Sequence, residues 1–322
     1  MILFITNKED ITIDILVDKL NKKSINYYRL NTEDLIEKID INIDLKQSSF
    51  LLYDKIKKIH ININNIKSVY YRRPKLPELL LLDNISESER NYLKHECFYI
   101  LQGIYDFLNI KFWINSYWSI LKAENKILQL QVAKKVGLKI PNSLITNNVS
   151  LAKKFNSKQE CVIKPIKSGF IKDIDDPQII FTNIFNPLKN EIEKVSLFPT
   201  YFQSHIKKQA DIRVTIVGKN FFVAKICSQD KKSTSVDWRA GKNYDLKYEH
   251  IELPKKVQES CKKFMKALHL NYGALDFILE PNGEYCFLEI NPNGQWGWIE
   301  KRLNLPISDA IIDLLLNYDK YI

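Results

Sequence analysis

The sequence predicts a mixed α/β and α+β protein of about two domains. Three observations carry this. The chain is 322 residues long, enough for two domains or one elaborate one. Its first thirty residues alternate strand, helix and strand patterns. Its last third reads as antiparallel hairpins, the clearest of them in residues 271–300. With 45% hydrophobic and 27% charged residues the composition is that of an ordinary globular protein.

The elements follow in order. Ile2 to Thr6 is an apolar strand. Residues 10–22 place Ile13, Leu16, Val17 and Leu20 at helical spacing, and 25–30 form a second strand. No GxGxxG accompanies them, so no dinucleotide site is expected. Strands are expected at 50–53 and 66–71. The second ends in Tyr71-Arg72-Arg73-Pro74, whose arginines face an anion or another domain, or form a surface pair beside the turn; the sequence leaves these readings open. Residues 86–108 predict a long helix, with Ser86 and Glu89 spaced as a capping box. A helix containing Ile127, Leu130, Ala133 and Lys134 on one face stops at Gly137. Lys126 lies in its first half. Residues 161–165 are a strand ending in Lys164 and proline, and an apolar strand that aims a lysine inward calls for an anionic partner. The loop at 167–170 is poor in glycine. A turn is expected at 175–177 and a short helix at 187–195, carrying Glu191 and Glu193.

Residues 200–206 read as a strand or crossover. Residues 210–217 and 221–226 read as a hairpin. A three-residue loop between them sets Arg213 opposite Lys225, and a two-residue loop puts them on opposite faces. Both remain open. Arg239 lies in a loop at 235–241. Helices are expected at 254–268 and 306–316.

Residues 271–300 organise the rest. Asn282-Gly283 between apolar runs is a strong hairpin signal. With the turn centred there, Asp276 falls directly opposite Glu289, and Asn291 shares their face. Opposed Cβ atoms lie about 4.5–5.5 Å apart, where like charges destabilise a sheet unless a cation intervenes. An all-oxygen set of this kind suits magnesium. Phe277, Leu279, Leu288 and Ile290 are expected on the other, core-facing side.

Five scattered cysteines without a CxxC pair argue for free thiols in a reducing cytoplasm. No apolar run has the roughly 18 residues of a membrane span, and the N-terminus lacks a signal-peptide pattern. The net charge of +10 favours anionic partners, but no nucleic-acid-binding motif accompanies it.

The ordered set Lys126, Lys164, residues 203–206, Asp211-Ile-Arg213, Arg239, Asp276 and Glu289-Ile-Asn291 resembles the ATP-grasp ligases over about residues 119–322. Tyr71-Arg72-Arg73-Pro74, Glu124-Asn125-Lys126 with Gln129-Leu130, Ile226-Cys-Ser-Gln229 and Val236-Asp-Trp-Arg239 are most similar to the graspetide synthetases, the microviridin-type peptide maturases. The resemblance implies an N-terminal pre-ATP-grasp domain at 1–117, a central ATP-grasp subdomain at 118–199 and a C-terminal one at 200–322. It implies that Lys126 and Lys164 bind ATP phosphates. Gln203, Ser204, His205 and Ile206 form the hinge beside adenine, and Asp211 lies near the ribose. Arg213 and Arg239, with Lys225 as a further candidate cation, act on the transferred phosphoryl group. Asp276, Glu289 and Asn291 hold Mg2+. The hinge departs from many relatives, which carry glutamate where this chain has Ser204-His205. The implied activity joins Asp or Glu side chains of a ribosomal precursor peptide, leader plus acidic core, to Thr, Ser or Lys through acyl phosphates. A homodimer is the implied assembly. The alternatives are an ATP-grasp ligase acting on a small molecule or a protein terminus, and a nucleotide-binding regulator without turnover.

Overall fold

A computed structural model describes residues 1–77, 79, 84–167, 170–171, 178–186, 191–239 and 246–320. The expected turn at 175–177, the start of the helix at 187, the loop residues 168–169 and the end of the loop at 240–241 lie outside the described residues.

The chain begins β1 (Ile2–Thr6), α1 (Ile11–Lys22) and β2 (Tyr27–Asn31). Asp10 caps α1 by accepting from the Thr12 amide. β3 (Ile39–Asp44), β4 (Ser49–Asp54) and β5 (Ile59–Asn62) form an antiparallel meander, of which only the middle strand was expected. The missed signal is Ile39-Asp-Ile-Asn-Ile-Asp44, a strict period-two alternation. β6 (Ser68–Tyr71), α2 (Glu87–Phe107) and β7 (Phe112–Trp113) complete this region. The Ser86/Glu89 capping box on α2 is formed. The order β2-β1-β6-β7 makes a parallel sheet. α2 and the meander cover one face, with Leu3, Ile5, Phe50, Leu52, Ile104 and Tyr105 in the core between them.

Next come α3 (Tyr117–Ala123), α4 (Lys126–Lys135), β8 (Ser143–Thr146), α5 (Val149–Asn156), β9 (Cys161–Lys164), β10 (Phe170–Ile171), β11 (Gln178–Ile179), β12 (Asn183–Phe185) and β13 (Thr200–Ser204). The antiparallel order is β12-β9-β13-β8. Gly137 ends α4 at φ +86, as its spacing predicts. Ile127 does not join the buried face. It is exposed, as is Lys134; Leu130 and Ala133 are buried as expected, and Gln129 joins them. The described part of the 187–195 helix is a 3-10 turn, Ile192–Leu197, entered from a left-handed Glu191. Its Glu193 pairs with Lys153 and Glu191 with Lys194, both exposed.

The remainder is β14 (Ala210–Val217), β15 (Asn220–Ile226), β16 (Tyr248–His250), α6 (Lys255–Ala267), β17 (Tyr272–Leu279), β18 (Tyr285–Asn291), α7 (Gly297–Leu303) and α8 (Ile307–Leu316). The strands form one antiparallel sheet, β16-β15-β14-β17-β18. α4 and α6 pack one face around Val214, Phe264, Phe277 and Phe287. At one end of the other face Val217, Phe222 and Tyr272 join α1, α8 and the parallel sheet in a shared core. The other end of that face carries the polar site. The five cysteines are free.

Candidate active site

Asp276 pairs with Glu289 across β17 and β18, and with Arg213 across β14. The opposition is as expected, but the route to it differs. The turn has three residues, 281–283, closed by Gly283 N to Glu280 O at 2.9 Å with Gly283 at φ +84. That turn sets Phe277 opposite Phe287, one step out of the expected register. A bulge at Leu288 then restores the pairing of Asp276 with Glu289. Leu288 consequently leaves the core face and lines a slot with Ile278, while Phe287 takes the place expected for it. Asn291 shares the face of Glu289 and lines the same cavity.

The β14–β15 turn has two residues, because Val217 pairs with Asn220. Glycine occupies its first central position at φ +58. Lys225 therefore stands opposite Ile212, on the face away from Arg213, and pairs with Glu249 on β16 at 3.0 Å. It does not join the site.

The other cations converge. Lys126 is the first residue of α4, behind the cap that Asn125 Oδ1 makes with the amides of Ile127 and Leu128. Its Nζ lies 2.9 Å from Glu289 Oε2 and donates to Pro165 O at 3.0 Å. Lys164 ends β9, and burial lowers its ammonium to about 8, with Glu289 opposing the shift and Lys126 adding to it. Arg239 grips Asp237 through Nε–Oδ1 at 2.9 Å and Nη2–Oδ2 at 3.0 Å, and its Nη1 lies 3.5 Å from Glu289 Oε1. Arg213 Nε lies 2.9 Å from Asp276 Oδ1. Lys126, Lys164, Arg239, Glu289 and Asn291 line one cavity of about 610 Å3, together with Glu124 and Lys167.

The two carboxylates differ electrostatically. Burial raises both. For Glu289 it is overruled by Lys126, Arg239 and Lys164, which hold the carboxyl well below its usual range. For Asp276 burial prevails over Arg213, helped by the charge of Glu289, and its carboxyl is raised. A divalent cation between the two would offset both the burial of Asp276 and its repulsion by Glu289. Two carboxylates and a carboxamide oxygen on one face fit Mg2+.

The hinge residues border a second slot with Val162, Ile278 and Leu288. Gln203 is buried and donates to Tyr201 Oη at 2.7 Å. The amides of Ser204 and His205 are already bonded to Asn142 O and Glu160 O, at 2.9 and 2.8 Å. Among the described residues the Ile206 amide has no such backbone partner. The His205 ring faces Glu160. Asp211 borders the slot but is paired with buried Lys208 at 2.7 Å; burial raises its carboxyl against that lysine.

Three contributors were not singled out from sequence for the site. Gln129 accepts from Ile290 N at 2.9 Å and donates to Ile290 O at 3.0 Å, pinning the strand between Glu289 and Asn291. A glutamine on the buried face of a helix was the available signal. Asp237 orients Arg239 from two residues away; burial raises its carboxyl, but Arg239 brings it down to about 2. Lys208 neutralises Asp211.

A two-part cleft with opposed carboxylates, inward lysines and forked arginines, between two antiparallel sheets, defines an ATP-grasp ligase. Residues 1–121 match the MvdD pre-ATP grasp domain and residues 123–315 the RimK-like ATP-grasp domain. The chain belongs to the RimK-like ATP-grasp family. Among solved structures it is similar to a Chryseobacterium gregarium RiPP-associated ATP-grasp ligase in complex with ADP and a leader and core peptide. The TM-score there is 0.91 at 27% identity, covering 98% of this chain and 96% of that one. It is also similar to two macrocyclases of Microcystis aeruginosa MRC, each covering 98% of this chain and 99% of its own. MdnC, bound with precursor peptide MdnA, gives 28% identity and a TM-score of 0.85; MdnB gives 31% and 0.79. No curated protein matches the sequence.

Proposed function

We propose that this ATP-grasp ligase is a graspetide synthetase. It activates Asp or Glu side chains of a ribosomal precursor peptide as acyl phosphates and closes ester or amide links with Thr, Ser or Lys side chains. The observation that carries the reading is the convergence of Lys126, Lys164, Arg213 and Arg239 on opposed Asp276 and Glu289. The likeness to peptide macrocyclases along almost the whole chain supports the substrate class.

A carboxylate is a poor electrophile until its oxygen carries a phosphoryl group. Bringing an anionic acceptor to a polyphosphate makes positioning and charge neutralisation the main tasks. Lys126 and Lys164 hold the phosphates of ATP. Arg239, with one edge braced by Asp237, turns its remaining Nη1 to the cavity. Arg213 neutralises charge from β14. Asp276, Glu289 and Asn291 hold Mg2+, which when bound neutralises phosphate charge and orients the nucleotide. Ile206 and the apolar walls of the slot take the base. The excess positive charge steers an acidic core towards the cleft. The protein works in the cytoplasm and is read as a homodimer.

Mass spectrometry of candidate precursor peptides incubated with ATP and Mg2+ tests this. The expected product has lost one water per link, with one ADP and one phosphate released for each. ATP-dependent addition of a free amino acid, with no dehydrated peptide, overturns it.

A further inference from the structure

The paired arginines after β6 find their role at the far end of the chain. Arg72 is fully buried. Its Nε lies 3.0 Å from Asp10 Oδ2, and Nη2 donates to Thr12 Oγ1 at 3.1 Å and Gln295 Oε1 at 2.7 Å. Its Nη1 donates to Gly294 O at 3.1 Å and Asn293 O at 3.4 Å. A buried guanidinium persists only when its donors are satisfied, and here the residues from 293 to 295 supply three of the acceptors. Arg73 Nε adds a bond to Asn293 O at 3.2 Å. From the other side Asn115 donates to Pro292 O at 3.0 Å.

The loop so held begins where the metal strand ends. Asn293 N donates to Asn291 Oδ1 at 2.9 Å. One residue, Asn293, thus meets the arginines through its carbonyl and the Asn291 carboxamide through its amide, in two successive peptide groups. The room is tight as well. A Cβ on Gly294 would stand 2.3 Å from the Ala274 Cβ and 3.5 Å from Arg213 Nη1. The loop rests directly on the sheet beside the site.

We propose that Arg72, seconded by Arg73, is a positioning residue for the divalent cation. It fixes the backbone of Asn293, whose amide holds the Asn291 carboxamide, and so aims the side-chain oxygen of Asn291. The N-terminal region thereby completes a cation site whose ligands all lie near the other end of the chain. This rests on the metal reading given under Proposed function. Groups that orient metal ligands matter to the affinity itself, and their loss typically lowers it about 10–100-fold.

The test follows thermal stabilisation of the full-length protein by ADP, with and without Mg2+ and without peptide. Arg72→Lys keeps the charge against Asp10 but loses the fork. The expected result is an unchanged far-UV spectrum and an unchanged response to metal-free ADP. The Mg2+ concentration for half the metal-dependent shift rises about tenfold. Arg73→Ala, at an exposed side chain, moves it in the same direction by less, and decides alone if Arg72→Lys does not fold. A wild-type midpoint in the folded variants overturns the role of Arg72. A wild-type protein without any Mg2+-dependent shift overturns the metal reading itself, and Arg72 with it.

Discussion

The two sheets that meet at the cleft are built differently. The sheet of β14, β15, β17 and β18 is covered by large cores, and Phe264, Phe277, Phe287 and Tyr272 are all but completely buried. It holds Arg213, Asp276 and Glu289 in cross-strand register, with Gln129 clamping the strand from behind. The sheet of β8, β9, β12 and β13 rests on a small cluster, Ala152, Phe185, Ile192, Val195 and Phe202. It supplies Lys164 and the hinge. On the proposed reading the metal-facing Asp276, Glu289 and Asn291 stand on the thick sheet, and Lys164 and the hinge, which would meet the nucleotide, stand on the thin one. Precision at a site comes from rigid support, and adaptability from segments with few buried contacts.

The sharpest way to break this comparison is on the thick side. Asp276→Ala, Glu289→Ala and Arg213→Ala should each lower turnover at least about 10²–10³-fold, the usual effect of losing one transition-state contact, with unchanged circular dichroism. Wild-type-like turnover in any two of them removes the assignment.

The next effect lies on the thin side. Lys164 attracts phosphate only when protonated, and burial lowers it to about 8. As pH rises through that value the free enzyme loses the charge. kcat/KM for ATP should then fall about tenfold per pH unit above the break, because that ratio reports free-enzyme ionisations. Lys164→Arg should erase the break. A profile flat to pH 9.5 in the wild type contradicts this role for Lys164.

A smaller effect is expected from Phe202→Ala. Deleting a buried phenylalanine costs about 3–5 kcal/mol. With so small a core to share it, the loss should appear as local opening of the β8, β9 and β13 amides in hydrogen exchange, and as a raised KM for ATP with kcat largely kept. Uniform loss of protection in both sheets would mean that they unfold as one unit.

Least of all should follow from Lys225→Met, on the back of the thick sheet against Glu249. Turnover within about twofold of wild type is expected, since exposed ion pairs are typically worth under about 1 kcal/mol. A hundredfold loss would return Lys225 to the catalytic set.

Much of the site was legible from residue types and order. Lys126 opens a helix and Lys164 ends a strand, both as the patterns indicate. Asp276 and Glu289 were paired by counting from Asn282-Gly283. In the structure that count holds because two departures cancel: a turn with one more residue, and a bulge at Leu288. Lys225 shows the reverse case, where one residue of turn length decided its face. The β3–β5 meander was legible in the Ile-Asp-Ile-Asn pattern, yet its polar faces and many lysines mask it as a loop.

By itself the sequence determined most of the longer elements, their order, the chemistry assembled near the C-terminus and the class of ligase that chemistry resembles. Those depend on local periodicity and on residue types at short spacing, which are written along the chain. The tertiary structure alone decided that the Ser204 and His205 amides are already bonded, which face Lys225 takes, and that Arg72 reaches Gly294 and Gln295, more than two hundred residues away. Such choices depend on single-residue turn lengths and on the satisfaction of buried polar groups, which only the packed chain defines.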